Sequence, residues 1–232
     1  VIEIVALQGS REVARFALAH GADPSAQLAR RGWAGPAVSA TRTSPDDLAI
    51  TFAVEPCVRV PGDEGSPVTR DDDLEATDVS NAVPHQRIAA YAVVRSSRGV
   101  LMTELSVRTN AAGLWNLPGG GLDPGEEPID AVIREVHEET EQRVTGVELL
   151  TVMTRHWVGR APSGRVEDFH AVRLFHAASC PEPTDPVVLD VGGSTSAARW
   201  VPETELASLP LASSVPEALA VAGVSAWPSL NP

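Results

Sequence analysis

The chain is poor in the residues that define several protein classes. Two cysteines, Cys57 and Cys180, occur in 232 residues, far apart and without a CxxC pair. That excludes a zinc ribbon or a dithiol redox motif, and two free thiols are expected. Basic residues are scarce: 18 Lys and Arg face 31 Asp and Glu, a formal net charge of −13. A nucleic-acid backbone needs a basic surface, so no nucleic-acid partner is expected. A small phosphate compound stays open, because a bound metal can bring the positive charge. No apolar run approaches the ~20 residues of a membrane helix. Val1–Gln8 lacks both a basic n-region and a small-residue cleavage site, so no signal peptide, no membrane partner and a cytoplasmic location are expected. No Ser-His-Asp order stands out, which argues against a covalent nucleophile.

Hydrophobic residues make up 43% of the chain, enough for one large domain or two small ones. The pattern from residue 1 to 61 predicts a small β-α-β-β module. Val1–Val5 reads as a strand. Ser10 reads as the N-cap of a helix with Val13, Phe16 and Ala17 on one face. Asp23-Pro24 opens a second helix that Gly32 ends. Strands follow at Ala37–Thr41 and Leu48–Val54. Residues 62–84, rich in Asp, Gly, Ser and Pro with an acidic run at Asp71–Glu75, read as a linker. A second domain is expected over 85–225. Its strands lie near 88–94, 100–105, 144–154, 169–175 and 198–201. Helices are expected at 128–140, after Pro202 and near 216–221.

The helix at 128–140 carries the chemistry. On a wheel of ~100° per residue, Ile129, Val132, Ile133 and Val136 share one arc, read as the core face. Glu135, Glu138 and Glu139 fall on the adjoining arc, at the edge of that face. Glu135 meets like charges at i+3 and i+4, and Glu138, Glu139 and Glu141 crowd the end where the helix dipole disfavours anions. Two carboxylates ~6 Å apart repel by about 3 kcal/mol at an effective dielectric of 20. A divalent ion removes that cost, and an all-oxygen donor set suits Mg²⁺ or Mn²⁺ better than zinc. Taken alone, an E-x-x-E-E run is most often a solvated acidic face. Here a glycine-rich loop, Gly119-Gly120-Gly121, precedes it after Leu117-Pro118, and glycines permit close approach of backbone to a ligand. Asp123-Pro124-Gly125-Glu126 then turns the chain into the helix.

Together these residues resemble the Nudix box, G-x5-E-x7-R-E-U-x-E-E-x-G-U with U apolar. Gly120, Glu126, Arg134, Glu135, Val136, Glu138 and Glu139 occupy its positions at the required spacing. Trp115-x-Leu117-Pro118-Gly119-Gly120 is similar to the family's lead-in. There are two departures: Glu141 stands where the family has Gly, and Gln142 replaces the apolar residue after it.

The resemblance implies an α/β (α+β) fold, a Nudix-type α/β/α sandwich with a mixed sheet. It implies attack of water on a phosphoanhydride in a nucleoside diphosphate derivative, with Mg²⁺ (or Mn²⁺) as cofactor and a small-molecule nucleotide as substrate. Glu135, Glu138 and Glu139 are then the metal ligands, with Glu126 a weaker one, and Arg134 orients a neighbouring glutamate. The general base is Glu135 or an acid of a later loop: Glu167, Asp168 or Asp190. Gly119, Gly120, Gly121, Trp157, Arg155 and Glu167 are the candidate substrate contacts, with His156, Arg160 and Arg165 in the same stretch and His170 just beyond it. Trp157 reads equally as packing, and His156 and His170 as structural histidines. The alternative is a catalytically weak nucleotide sensor, favoured by Glu141 and the extra module. That module has two candidate roles, formation of a homodimer or cover for the pocket.

Overall fold

The computed structural model describes residues 1–62, 68–161 and 163–224. Residues 63–67 of the expected linker and residue 225 at the end of the expected domain lie outside them. By contacts the chain divides into two units, Val1–Ala89 with Pro124–Glu126 and Val152–Arg173, and Ala90–Asp123 with Glu127–Thr151 and Leu174–Pro232. Residues 1–61 and 62–84 lie in the first of these units, and 85–225 contributes to both, because long strands run through both units.

In the first unit, β1 (Ile2–Gln8) and β2 (Arg11–Ala17) form an antiparallel hairpin. The turn is Gly9-Ser10, with Gly9 at φ 59°. The helix expected after Ser10 is therefore a strand. The pairing slips between Ala6 and Leu7, leaving Val13 as an extra residue. Such a bulge resets the two-residue alternation, so Val13 and Phe16 are half-buried together while mimicking a helical spacing. Helix α1 (Pro24–Arg30) starts as the sequence predicts, with the Asp23 carboxylate accepting from the Ala26 N–H at 2.9 Å. β3 (Trp33–Ala34), β4 (Ala37–Arg42), β5 (Leu48–Ala53) and β6 (Glu55–Pro56) follow. The main sheet has the order β2-β1-β5-β4, with β1 and β5 parallel at its centre. Ile4, Ile50, Leu48 and Leu28 are fully buried there.

The acidic stretch is not a bare linker. β7 (Val68–Arg70) pairs in parallel with residues 156–158 of a later strand, and α2 (Ala76–Ser80) is a short helix. Asp71 accepts from the Trp157 indole N–H at 3.0 Å and the Arg160 N–H at 2.9 Å, and Arg160 also pairs with Asp73 and Asp78. Repulsion within the run is thus offset by one guanidinium and two N–H donors.

β8 (Val83–Ser96), β12 (Thr145–Arg160) and β13 (Val166–Ser179) contribute residues to both units. The second unit adds β9 (Gly99–Leu105), β10 (Trp115–Asn116), β11 (Gly119–Gly121), helix α3 (Pro128–Thr140), β14 (Thr195–Val201), a 3-10 helix (Glu203–Ser208) and α4 (Val215–Val221). The strand order is β10-β9-β8-β13-β12-β7, with β11 on β8 and β14 antiparallel on β9. Strands and helices combine as the α+β class predicts. The triple glycine, expected as a loop, is the strand β11. The stretch 155–168, expected as a loop, is mostly paired strand, with its turn after Arg160. Among the described residues no helix is long and apolar enough to cross a membrane.

Candidate active site

Helix α3 spans the predicted residues, but its buried face is rotated from the predicted one. Pro128, Ala131, Val132, Val136, Glu139 and Thr140 are buried, whereas Ile129 and Ile133 are each 43% exposed. A carboxylate therefore sits near the middle of the buried face and two isoleucines lie outside it. Polar partners make this possible. Glu139, 5% exposed, accepts from the Gly119 N–H at 3.0 Å and from the Thr195 hydroxyl at 2.5 Å, one donor to each oxygen. Burial pushes its carboxyl up to about 7, against the pull of the Thr195 and Gly119 donors, and the nearby Glu135 charge pushes the same way as burial.

Arg134 binds the other two helix carboxylates. Its Nη1 donates to Glu135 Oε1 at 2.9 Å and to Glu138 Oε2 at 3.1 Å, and its Nη2 donates to the Gly121 carbonyl at 3.1 Å. One planar guanidinium thus fixes two glutamates against the end of β11. Glu135 is largely buried and Glu138 about half exposed. The glycines are needed where they are. Gly119 has φ 144°, and a Cβ there would strike the Ala90 carbonyl on β8; a Cβ at Gly120 would strike the Glu135 carboxylate.

The far end of α3 explains the departures from the box. Glu141 caps the helix at φ 57°, ψ 14°, the left-handed conformation the family's glycine would take. Among the described residues it is the single non-glycine with positive φ. Gln142 is buried but satisfied: its amide donates to Thr140 O and Thr184 Oγ1 and accepts from the Thr184 N–H. The exit from the helix is kept. The carbonyl of Glu138 accepts from the N–H groups of Leu189 and Asp190. Beside this segment lies a cleft of about 370 Å³, lined by Arg108, Val188, Gly192 and Thr195 among others. Thr195 thus both faces the cleft and holds Glu139.

Glu126, Arg155, Trp157, Glu167 and Asp168 lie in the first unit. The Glu126 carbonyl accepts from Arg42 at 2.9 Å. Trp157 gives its indole N–H to Asp71 and packs edge-on against Phe169, with ring centroids 5.4 Å apart. Glu167 pairs with His85 at 3.2 Å, and Arg155 is exposed on β12. Asp168 accepts from His156 and from His20, the latter at 3.2 Å. Burial alone would raise its carboxyl; the two histidines hold it below the usual range. Asp190 is exposed. The contacts made by Thr195, His20 and Asp71 are not legible in the sequence, since single hydroxyl, imidazole and carboxylate groups far along the chain from their partners carry no spacing signal.

Residues 85–221 match the NUDIX domain. Over 113 residues the chain is 32% identical to a Mycobacterium tuberculosis protein provisionally named 8-oxo-dGTP diphosphatase 3, covering 48% of each. It is 34% identical over 113 residues to an RNA pyrophosphohydrolase of Rhodopseudomonas palustris, covering 41% of this chain and 60% of that one. The solved MutT NUDIX hydrolase from Burkholderia pseudomallei has 26% identity and a TM-score of 0.45, over 58% of this chain and 96% of that one. The chain spans about half the length of the first of these curated relatives.

Proposed function

Because the chain belongs to the NUDIX domain family, we propose that it hydrolyses a phosphoanhydride bond in a nucleoside diphosphate derivative, with a divalent cation as cofactor. The observation that carries this reading is Glu135, Glu138 and Glu139 on one helix, the first two oriented by Arg134 and the third held inside the fold by Gly119 and Thr195. A buried carboxylate beside another carboxylate is costly without a cation, and the all-oxygen donor set fits Mg²⁺ or Mn²⁺. Bound there, the cation would neutralise phosphate charge and acidify a water molecule.

The protein groups do the positioning. Arg134 keeps Glu135 and Glu138 in fixed rotamers, so little reorganisation is needed when substrate arrives. Gly119, Gly120 and Gly121 present backbone without side chains, which allows phosphate oxygens to approach closely. Glu135, oriented by the Arg134 guanidinium at 2.9 Å, is the assigned proton acceptor for the attacking water. Family relatives act on chemically different nucleotides by name, so the substrate is assigned only as a nucleoside diphosphate derivative.

The test is a panel of nucleoside diphosphate derivatives and nucleoside triphosphates with Mg²⁺ or Mn²⁺, products being separated by chromatography. Turnover that needs metal and collapses in Glu138→Gln and Glu139→Gln is expected. Binding of a panel member without cleavage would overturn the hydrolase reading in favour of a nucleotide sensor.

A further inference from the structure

Outside the box, one cluster in the first unit brings metal-ligating groups together from three distant parts of the chain. His20 follows β2, His156 lies on β12 and Asp168 on β13. One ligand atom from each lies within 4.8 Å of the others. Both imidazoles approach the same oxygen: His20 Nε2 is 3.2 Å from Asp168 Oδ1, and His156 Nε2 is hydrogen-bonded to that atom as well. We propose that His20, His156 and Asp168 form a site for a divalent transition-metal ion, zinc foremost, made of residues other than the box carboxylates.

The donor set decides the ion. Two imidazole nitrogens and one carboxylate suit borderline ions such as zinc, whereas Mg²⁺ prefers oxygen alone. With metal–ligand bonds of roughly 2.0–2.1 Å in tetrahedral geometry, ligand atoms stand about 3.3 Å apart. The His20–Asp168 separation is already close to that. The His156–Asp168 contact is shorter and opens slightly when an ion replaces the shared protons.

The cluster is partly open to solvent, and a further imidazole lies beside it. His20 and Asp168 keep 29% and 28% of their side-chain surface exposed, so water can complete the coordination. A Cβ at Gly21 would collide with the His156 ring, so the glycine after His20 lets the two imidazoles share the space. His170 stands beside them, its ring centroid 5.5 Å from His20 and 6.3 Å from His156. It is buried, and its Nε2 has no hydrogen-bond partner. Its Nδ1 meets the side-chain amide of Gln86 at 2.9 Å. A metal here would tie residue 20 to the hairpin at 156–168 and stabilise the first unit.

The test uses the full chain, stripped of metal by a chelator and then given zinc with millimolar Mg²⁺ present to fill oxygen-donor sites. Zinc retained after gel filtration is measured by elemental analysis, and Tm is read with and without zinc. Wild type should keep about one equivalent per chain, with a Tm several degrees higher than the stripped protein. His20→Gln, His156→Gln and Asp168→Asn should each bind zinc at least tenfold more weakly, while Glu138→Gln should keep it. His20 is partly exposed and outside the strands, so His20→Gln tests the site even if the other two variants fold poorly. The proposal is overturned if wild type keeps no zinc, if His20→Gln keeps as much as wild type, or if Glu138→Gln is the variant that loses it.

Discussion

Thr195, the first residue of β14, donates its hydroxyl to Oε1 of Glu139 near the end of helix α3, 2.5 Å away, with both residues only 5% exposed. This bond and the Gly119 N–H are what let a carboxylate occupy the centre of a buried helix face. Thr195→Val keeps the shape and removes the donor, leaving a buried acceptor unsatisfied. Steady-state kinetics should show kcat about tenfold lower, the scale expected for losing a group that orients a metal ligand. Thr195→Ser should restore most of it. An unchanged kcat in the valine variant would show that the hydroxyl has no part in orienting Glu139.

Arg134 reaches Glu135, Glu138 and the Gly121 carbonyl with one planar group. A lysine ammonium has the charge but not the fork. Arg134→Lys should therefore lower kcat about 10–100-fold, with the Tm nearly unchanged. Activity close to wild type in the lysine variant would reduce the arginine to a charge-balancing role.

Glu141 holds a left-handed conformation that costs a side-chain-bearing residue more than glycine. Glu141→Gly should stabilise the protein by about 1 kcal/mol after allowing for the extra freedom of the unfolded chain. Thermal or urea unfolding reads this directly, and activity should not fall. A destabilised variant would mean that the glutamate side chain contributes more than its backbone strain costs.

His176 is buried, and burial holds its imidazole below the ordinary value of 6.5, outweighing hydrogen bonds that the ring donates to the Tyr91 and Leu174 backbone carbonyls. A histidine depressed in the folded state binds fewer protons there than when unfolded. Its contribution is thus fully present above pH 6.5 and is lost as pH falls from there through the folded value. Urea unfolding from neutral to acid pH should show a shallower loss of stability for His176→Asn than for wild type. Parallel curves would assign the acid sensitivity to other groups.

The box was legible because its spacing encodes a local object. Seven positions at fixed intervals can be read on a helix before its partners are known, and Asp23-Pro24, Glu127-Pro128 and the glycines mark boundaries by local backbone preference. Local rules failed where a distant segment decided the outcome. Val13 and Phe16 carry a helical interval, but pairing with β1 and a bulge made them strand. Residues 155–160 looked like loop until the strand pairing of β7 at 156–158 defined them. The wheel put Ile129 and Ile133 inside and the glutamates at the edge. The Gly119 N–H and Thr195, each many residues from Glu139, let the carboxylate be the buried one.

The sequence by itself determined the family and the acidic run on helix α3, since these depend on residues close together in the chain. Tertiary structure alone decided which face of α3 is buried, how Glu141 leaves the helix, and that His20 meets Asp168 across 148 positions. Hydrogen bonds and ligand geometries act over about 3 Å in space, and no one-dimensional spacing reports a contact that the fold must first assemble.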